Sequence, residues 1–375
     1  MIQYRYLLLA GILFVPGTTF AKSHKSYPTY KLGGQIVADA AFFTKDNDTQ
    51  SDQEIRRARL YVKGAMTKKL SYELEYSFTG GGSWKDIYLR YAFNNLSSLT
   101  VGNIKEPFGL EALTSSKYNT FMERALPDIF ISDRKLGVLM QYGFSKKKRY
   151  VWRISGGLFT QPLEEFKRGE DEYTFAARTT YLALLGKKHL LHLGVSGAFT
   201  NYNDQKIKFS TRPEAHLSEI KYLKTKFKHT DNMKRYGLEG YYQNRAFSLQ
   251  GEYIATRMET QKEPYDLFGW YLQMGYFLTD DSRRYKTKEG VFGRMQPKHP
   301  VTKGGYGAVE VASRISMLDF TEKDNDARMK SYTIGVNWYL TSQLRLMLDI
   351  SKTDIENIAQ SDNPEIVQMR VQYDF

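Results

Sequence analysis

Arg57 and Arg59 stand two residues apart in a segment that alternates polar and apolar side chains from Ile55 to Met66. On an extended strand both project from the same face, together with Tyr61 and Lys63. A guanidinium stays charged and offers a planar fork of donors to phosphate or carboxylate oxygens. Two of them side by side need more negative charge than one neighbouring carboxylate supplies, and a passing anion could supply it. Arg56 points the other way on this reading, toward an extracellular rim where lipopolysaccharide phosphates would meet it. The same alternation puts Asp86, Tyr88 and Arg90 on one face of 85–93. It puts Arg153, Arg178, Arg314, Arg345 and Arg370 on the polar faces of later segments. A row of such cations lowers the barrier to an anion without one deep well, as conduction requires. Glu73, Glu75, Glu239, Glu252, Glu310 and Asp349 share those faces, so pairing within a wet interior is the competing use of each arginine.

The elements that carry these residues repeat with period two. Strands are predicted at 32–43, 55–66, 69–79, 85–93, 97–104, 136–144, 149–159, 173–184, 189–200 and 233–243. Six more follow at 246–257, 265–277, 304–317, 329–340, 343–353 and 365–375. Sixteen is even, which returns both chain ends to the periplasmic side of an outer-membrane barrel. Lys206 to Leu217 would break that parity and is assigned to a loop. Short connectors such as Thr67-Lys68 and Thr341-Ser342 alternate with long ones at 44–54, 105–135, 160–172, 201–232, 318–328 and 354–364. The short ones fit periplasmic turns and the long ones extracellular loops. Residues 278–303 are long yet fall on the periplasmic side, so they either fold back into the pore or mark a register error.

The apolar face of each strand must then meet lipid, because a charge at the bilayer midplane costs about 2–4 kcal/mol on a barrel's outer face. The last strand shows the pattern best. Val367, Met369, Val371, Tyr373 and the terminal Phe375 share one face, and Gln368, Arg370, Gln372 and Asp374 the other. A terminal aromatic of this kind resembles the signal read by the bacterial barrel-assembly machinery. At the other end, Arg5, the apolar run Leu7 to Val15 and Thr19-Phe20-Ala21 read as a signal peptide over 1–21. The remainder, 22–375, reads as one outer-membrane barrel domain. The apolar run is too short for a spanning helix, which needs roughly 20 residues.

Composition agrees with an all-β transmembrane barrel. The chain has 28 Tyr and 22 Phe but 10 Pro, and its mean hydropathy is −0.52. A barrel exposes only half of each strand to lipid and places aromatic girdles at both interfaces. A net charge of +13 in an exported chain argues for small anions rather than nucleic acid. There is no cysteine, no nucleotide-binding glycine loop and no protease or esterase motif. The sequence calls for no cofactor, no metal and no catalytic residue. Gly80-Gly81-Gly82 reads as a flexible loop tip.

The run Gly102-Asn103-Ile104-Lys105-Glu106-Pro107-Phe108-Gly109-Leu110-Glu111, continued by Leu113 to Ser116 and Phe121-Met122-Glu123-Arg124, resembles the phosphate-selective porin O and P family. Arg56 to Leu60, Leu278 to Tyr285 and Gly335 to Leu340 add to the likeness, although Asp280-Asp281 replaces the Gly-Glu common among relatives. The resemblance implies a sixteen-stranded homotrimeric barrel whose third loop folds inward as the constriction. It implies an arginine ladder, which Lys63, Arg153, Arg178, Arg314, Arg345 and Arg370 could form here. Lys105 holds the motif position of a lysine in the central anion site, and Arg56-Arg57 and Asp86 look like counterparts of site residues. Read from the residues themselves, Pro107 and Gly109 break the strand. Glu106, Glu111, Glu123 and Arg124 suit a constriction facing water. The expected function is an anion-preferring diffusion channel in the Gram-negative outer membrane, for phosphate or related oxyanions. A weakly selective porin for small polar solutes and a structural or adhesive barrel closed by its loops are the alternatives.

Overall fold

Sixteen strands close into one antiparallel barrel in the computed structural model, which describes residues 26–45, 48–146, 149–164, 172–186, 188–320, 327–357 and 363–375. The proposed signal peptide, 1–21, lies outside the described residues. The first eight wall strands are β1 (Thr29–Lys45), β2 (Asp48–Ala65), β3 (Leu70–Ser77), β4 (Ser83–Ala92), β5 (Ser98–Lys105), β6 (Arg134–Lys146), β7 (Tyr150–Phe159) and β8 (Tyr173–Gly186). Then come β9 (His189–Thr211), β10 (Leu223–Asn244), β11 (Phe247–Thr260) and β12 (Pro264–Phe277). A two-rung ladder, β13 (Tyr285–Lys286) with β14 (Val291–Phe292), stands apart from the wall. The wall resumes with β15 (Ala308–Asp319), β16 (Ala327–Tyr339), β17 (Leu344–Asn357) and β18 (Glu365–Asp374).

Each sequence-predicted strand has one counterpart, and the alternation sorts its faces as expected. Gln368, Arg370, Gln372 and Asp374 are buried inside, while Met369 and Val371 are nearly half exposed on the lipid face. Outward aromatics gather at both ends of the wall. Tyr76 meets Phe78 and Trp84 edge-on near the extracellular end, and Tyr91 meets Phe93 near the periplasmic end. The seam closes where β18 pairs β1: Phe375 and Gly34 exchange backbone hydrogen bonds of 3.1 and 3.2 Å. Short turns are held by their own side chains. Thr67 Oγ1 accepts from the N–H groups of Lys69 and Leu70, and Thr341 Oγ1 accepts from those of Gln343 and Leu344.

Two expectations change at the extracellular end. Several of the long loops there are largely strand. β9 runs on to Thr211 and pairs Ile207 to Thr211 with Leu223 to Phe227, so Lys206 to Leu217 is only partly loop. The alternation of Ile207 and Phe209 with lysines is that of a strand, but it prolongs β9 instead of adding a strand, so the parity that argued for a loop is not broken. The second change is at Arg56. Val37 pairs Arg57 and Ala38 pairs Ile55, so Arg56 is the extra residue of a bulge. The bulge turns Arg56 inward with Arg57, where it meets Glu123, and not outward toward the rim as expected.

The third loop leaves β5 through Lys105 and enters the barrel. It carries one turn of helix, α1 (Leu110–Leu113), and 3-10 turns at Ser116–Tyr118 and Leu126–Phe130. Phe130 stacks on Phe320 and meets Phe209 edge-on, in a buried cluster with Phe108 and Leu126. Residues 278–303 also fold inward from the periplasmic side, which resolves their parity in favour of the first alternative. Both loops occupy the lumen.

Gly102 ends the close approach from which the constriction loop departs. Its φ is 143°, and a Cβ there would lie 2.0 Å from the Ile87 carbonyl oxygen. Gly102→Val should cost about 1–3 kcal/mol of strain and lower the temperature at which the folded form loses its fast mobility in detergent gel electrophoresis. An unchanged transition would show that the wall yields at this point.

Candidate functional site

A loop inside a barrel must find partners for its backbone amides and carbonyls, because an unpaired buried one costs several kcal/mol. The wall from β11 round to β18 supplies them. Carboxylates accept from loop N–H groups: Glu252 from Leu110 and Glu111 at 2.8 and 2.7 Å, and Asp349 from Met122 at 2.8 Å. Arginines donate to loop carbonyls: Arg345 to Asn119 and Thr120 at 2.8 Å each, Arg314 to Glu123 at 3.1 Å, and Arg370 to Met122 at 2.5 Å. Arg370 also holds Asp39 and Glu123. Arg314, Arg345 and Arg370, expected along an ion path, therefore sit beneath the loop and fasten it.

The loop's acids divide in the same way. Glu106 is buried between Arg235, at 2.7 Å, and Lys135, at 3.2 Å. Glu111 is buried beside Arg314 and accepts from the Ala125 N–H at 3.0 Å. Neither faces water, contrary to expectation, because each satisfies a charge of the wall. Burial pushes the Glu111 carboxyl from 4.5 up to about 7, against the pull of Arg314. Glu123 behaves oppositely. Burial would raise its carboxyl too, but Arg56, Arg57 and Arg370 outweigh burial and hold it well below the usual carboxylate range. Arg56 forms a two-pronged contact with Glu123 at 2.9 and 3.0 Å, and Arg57 approaches it to 3.6 Å.

The open space lies on the other side of the loop, against β2 to β8. It is a cavity of about 740 Å³ lined by thirteen Lys and Arg side chains and seven Asp and Glu side chains. Arg57, Arg59, Lys63, Asp86, Arg90, Lys105, Arg124, Arg153 and Arg178 all border it. Lys105 and Arg124 converge on one carbonyl, that of Ala112, and Arg124 also pairs with Asp128 at 3.2 Å. Asp86 is clasped by Arg134 through two bonds of 3.0 and 2.9 Å, and Glu75 and Asp133 complete that ion cluster. Lys63 and Lys117 flank the ring of Tyr61 at 4.4 and 5.0 Å. Arg90 donates to Thr100 at 3.0 Å and lies over Tyr88. Among the described residues, Arg59, Lys63, Arg90, Lys105, Lys117, Arg153 and Lys288 border the cavity with no carboxylate within 4.0 Å.

Sequence reasoning passed over Arg134, Lys117 and Arg235. Arg235 shares its strand face with Glu239, and that alternation was the available signal. Its partner Glu106 is 129 residues away, which no local pattern reveals.

A family model described as phosphate-selective porin O and P matches residues 30–375. Porin O of Pseudomonas aeruginosa is 25% identical, over 96% of this chain and 91% of its own length. An uncharacterized protein of Caulobacter vibrioides is 28% identical over 81% of this chain, and the match spans 63% of that protein. Among solved structures, an anion-selective porin from Comamonas acidovorans superposes with a TM-score of 0.57 at 13% identity. That superposition covers 92% of this chain and 99% of the porin.

Removing a clamp should loosen the constriction. Arg370→Ala leaves Asp39 and Glu123 short of a cation, a loss of about 3–5 kcal/mol for a buried pair, and should give noisier single channels of larger conductance. Steady wild-type currents would exclude a clamping role. A second expectation concerns pH. Because the Glu111 carboxyl titrates near 7 when the loop is docked and near 4.5 when it is exposed, the docked loop holds the extra proton between those values. Docking is then strongest in acid and weakens as pH rises to about 7. The protection of amides in residues 106–130, taken relative to their intrinsic exchange rates at each pH, should fall over that range in wild type but not in Glu111→Gln.

Proposed function

The chain belongs to the phosphate-selective porin O and P family and forms a porin channel of the Gram-negative outer membrane; on that premise we propose that it is a passive channel preferring anions, with phosphate or a related oxyanion as solute. The observation that carries this reading is the excess of thirteen cationic over seven acidic side chains around one cavity, with seven of the cations free of carboxylates among the described residues. Arg57, Arg59, Lys105 and Arg124 form the central anion site, and Asp86 positions Arg134 beside it. Lys63, Arg90, Arg153 and Arg178 continue the path toward the periplasm. Oxyanions suit such a lining because they accept from several guanidinium and ammonium donors at once.

Residues 1–21 serve as the signal peptide and 22–375 as the channel domain. Phe375 is the mark for the assembly machinery, lipopolysaccharide surrounds the outer rim, and the working unit is a homotrimer. A weakly selective porin is the second reading, favoured by the ion cluster around Arg134, where three carboxylates meet one guanidinium.

The reversal potential of purified channels in a planar bilayer, under a potassium chloride gradient, decides between the two. It should take the sign set by chloride, and millimolar phosphate should reduce the chloride current. Cation preference would overturn the proposal, and chloride preference without phosphate inhibition would support the second reading. Lys105→Glu changes two charge units beside the path and should lower the anion-to-cation permeability ratio by about threefold or more. An unchanged ratio would remove Lys105 from the site.

A further inference from the structure

The hairpin that prolongs β9 and β10 carries cations on the side turned away from the pore. Lys206, Lys208, Lys224, Lys226 and Lys228 are all exposed on it. None of the five has a carboxylate within 4.0 Å among the described residues. Lys208 stands directly opposite Lys226 in the ladder. Like charges so placed destabilise a strand pair, and an anion lying between them relieves the repulsion. Asp204, on the same hairpin, is already taken by His229 at 2.8 Å.

The backbone aims these lysines outward. On the lower part of β9 the odd positions Leu193 and Val195 are about half exposed to lipid. Past Asn203 and Asp204, with φ of 52° and 67°, alternation resumes with the even positions Lys206 and Lys208 outside. β10 shifts register between Phe227 and Asn232 to match. Such irregularities re-aim side chains, and Asn and Asp tolerate the left-handed backbone better than most residues. An unbroken period would have turned Lys206 and Lys208 over the lumen. Instead Phe209 and Phe227 face inward and meet edge-on, and Phe209 also touches Phe130 of the constriction loop and Phe320. Packing on the inner face therefore holds the lysines in place before any ligand arrives.

Their height selects the ligand. Tyr242 lies beside the periplasmic turn, and Leu238 and Tyr236 continue the lipid-facing side of β10. An apolar band of about 25 Å takes up roughly ten residues of a tilted strand, so the band ends near Asn232. Lys224 to Lys228 then stand about 10–20 Å farther out. A phospholipid phosphate sits at the edge of the band, below them. Only a headgroup that carries several anionic groups well above the acyl chains reaches the ladder.

We propose that the outer face of this hairpin is a docking surface for lipopolysaccharide, its lysines pairing with the phosphate and carboxylate groups of the core sugars. The inference rests on the outer-membrane reading given above and assigns a site to the lipopolysaccharide contact proposed there. Leu193, Val195, Tyr236 and Leu238, below the lysines, face the acyl chains of the same leaflet.

Titration of the detergent-solubilised full chain with fluorescently labelled lipopolysaccharide tests it. Wild type should bind, with an affinity that falls as salt rises. Lys208→Gln combined with Lys226→Gln should weaken binding about thirtyfold, the loss expected for two lysines at an anionic surface. That double variant removes a like-charge contact and should fold as well as wild type. Phosphatidylglycerol should bind the two proteins alike. Equal lipopolysaccharide binding by both, or a loss of phosphatidylglycerol binding as large as that of lipopolysaccharide, overturns the docking surface. The reversal potential should not change in the double variant, because these lysines face away from the path. A lowered anion preference with lipopolysaccharide binding retained would assign them to drawing solute to the mouth, and would overturn the proposal as well. Cation preference of the wild-type channel, with lysine-dependent lipopolysaccharide binding intact, would instead sink the channel reading and leave this surface standing.

Discussion

Everything about this pore depends on how some thirty residues of irregular backbone are kept inside a membrane barrel. A loop in that position cannot leave its amides and carbonyls to water on the side where it packs, so the wall must answer them one by one. Glu252 and Asp349 answer the N–H groups, and Arg314, Arg345 and Arg370 answer the carbonyls. Arginine suits the second task because its fork reaches a carbonyl and a carboxylate together. Arg370 does so with Met122, Asp39 and Glu123. The loop is thereby pinned to the β11 to β18 side, and the conducting space is what remains against β2 to β8.

That asymmetry decides the electrostatics. A lumen read as a uniform tube would count all its arginines toward the solute and all its acids against it. In the folded chain many of those acids are consumed in holding the loop: Glu106 by Arg235 and Lys135, Glu111 and Glu214 by Arg314. Charges so paired at close range are nearly invisible to an ion several ångströms away. The cations left on the open side include Arg59, Lys63, Arg90 and Lys105, and no acid of the described residues pairs with them. A chain whose lumen looks mixed in sign from its sequence thus presents a cationic surface to the path.

The architecture was legible because lipid enforces it. A strand with one face in hydrocarbon and one in water must alternate, and every one of the sixteen could be read from that rule. Where the rule lapses, legibility lapses. The bulge at Arg56 breaks the period by a single residue, while the extension of β9 to Thr211 keeps the alternation but prolongs a strand already counted, which parity cannot reveal. Alternation also states only that a side chain points inward. Whether it then borders the open cavity, as Arg59 does, or meets a loop carbonyl, as Arg345 does, is fixed by contacts more than two hundred residues apart in sequence. Such pairings carry no local signature, and for that reason the sequence could place the arginines on the correct face without dividing them by role.

The periplasmic segment shows why one loop does not suffice. Arg283 donates to the Tyr118 carbonyl at 3.1 Å, and its guanidinium lies 3.7 Å from the centre of the Phe292 ring. The Phe292 N–H in turn donates to Thr114 Oγ1 at 3.4 Å. The stretch of the constriction loop from Thr114 to Tyr118 thus leans on residues that enter from the opposite end of the barrel. The wall also reaches this stretch, since Gln372 on β18 donates to the Lys117 carbonyl at 3.0 Å, but the other side of the stretch faces the open cavity. Contact from below adds a second restraint to the one the wall supplies there. The width of the path is then set jointly by two inward segments, and a change at Arg283 or Phe292 bears on the constriction although neither lies on the loop that forms it.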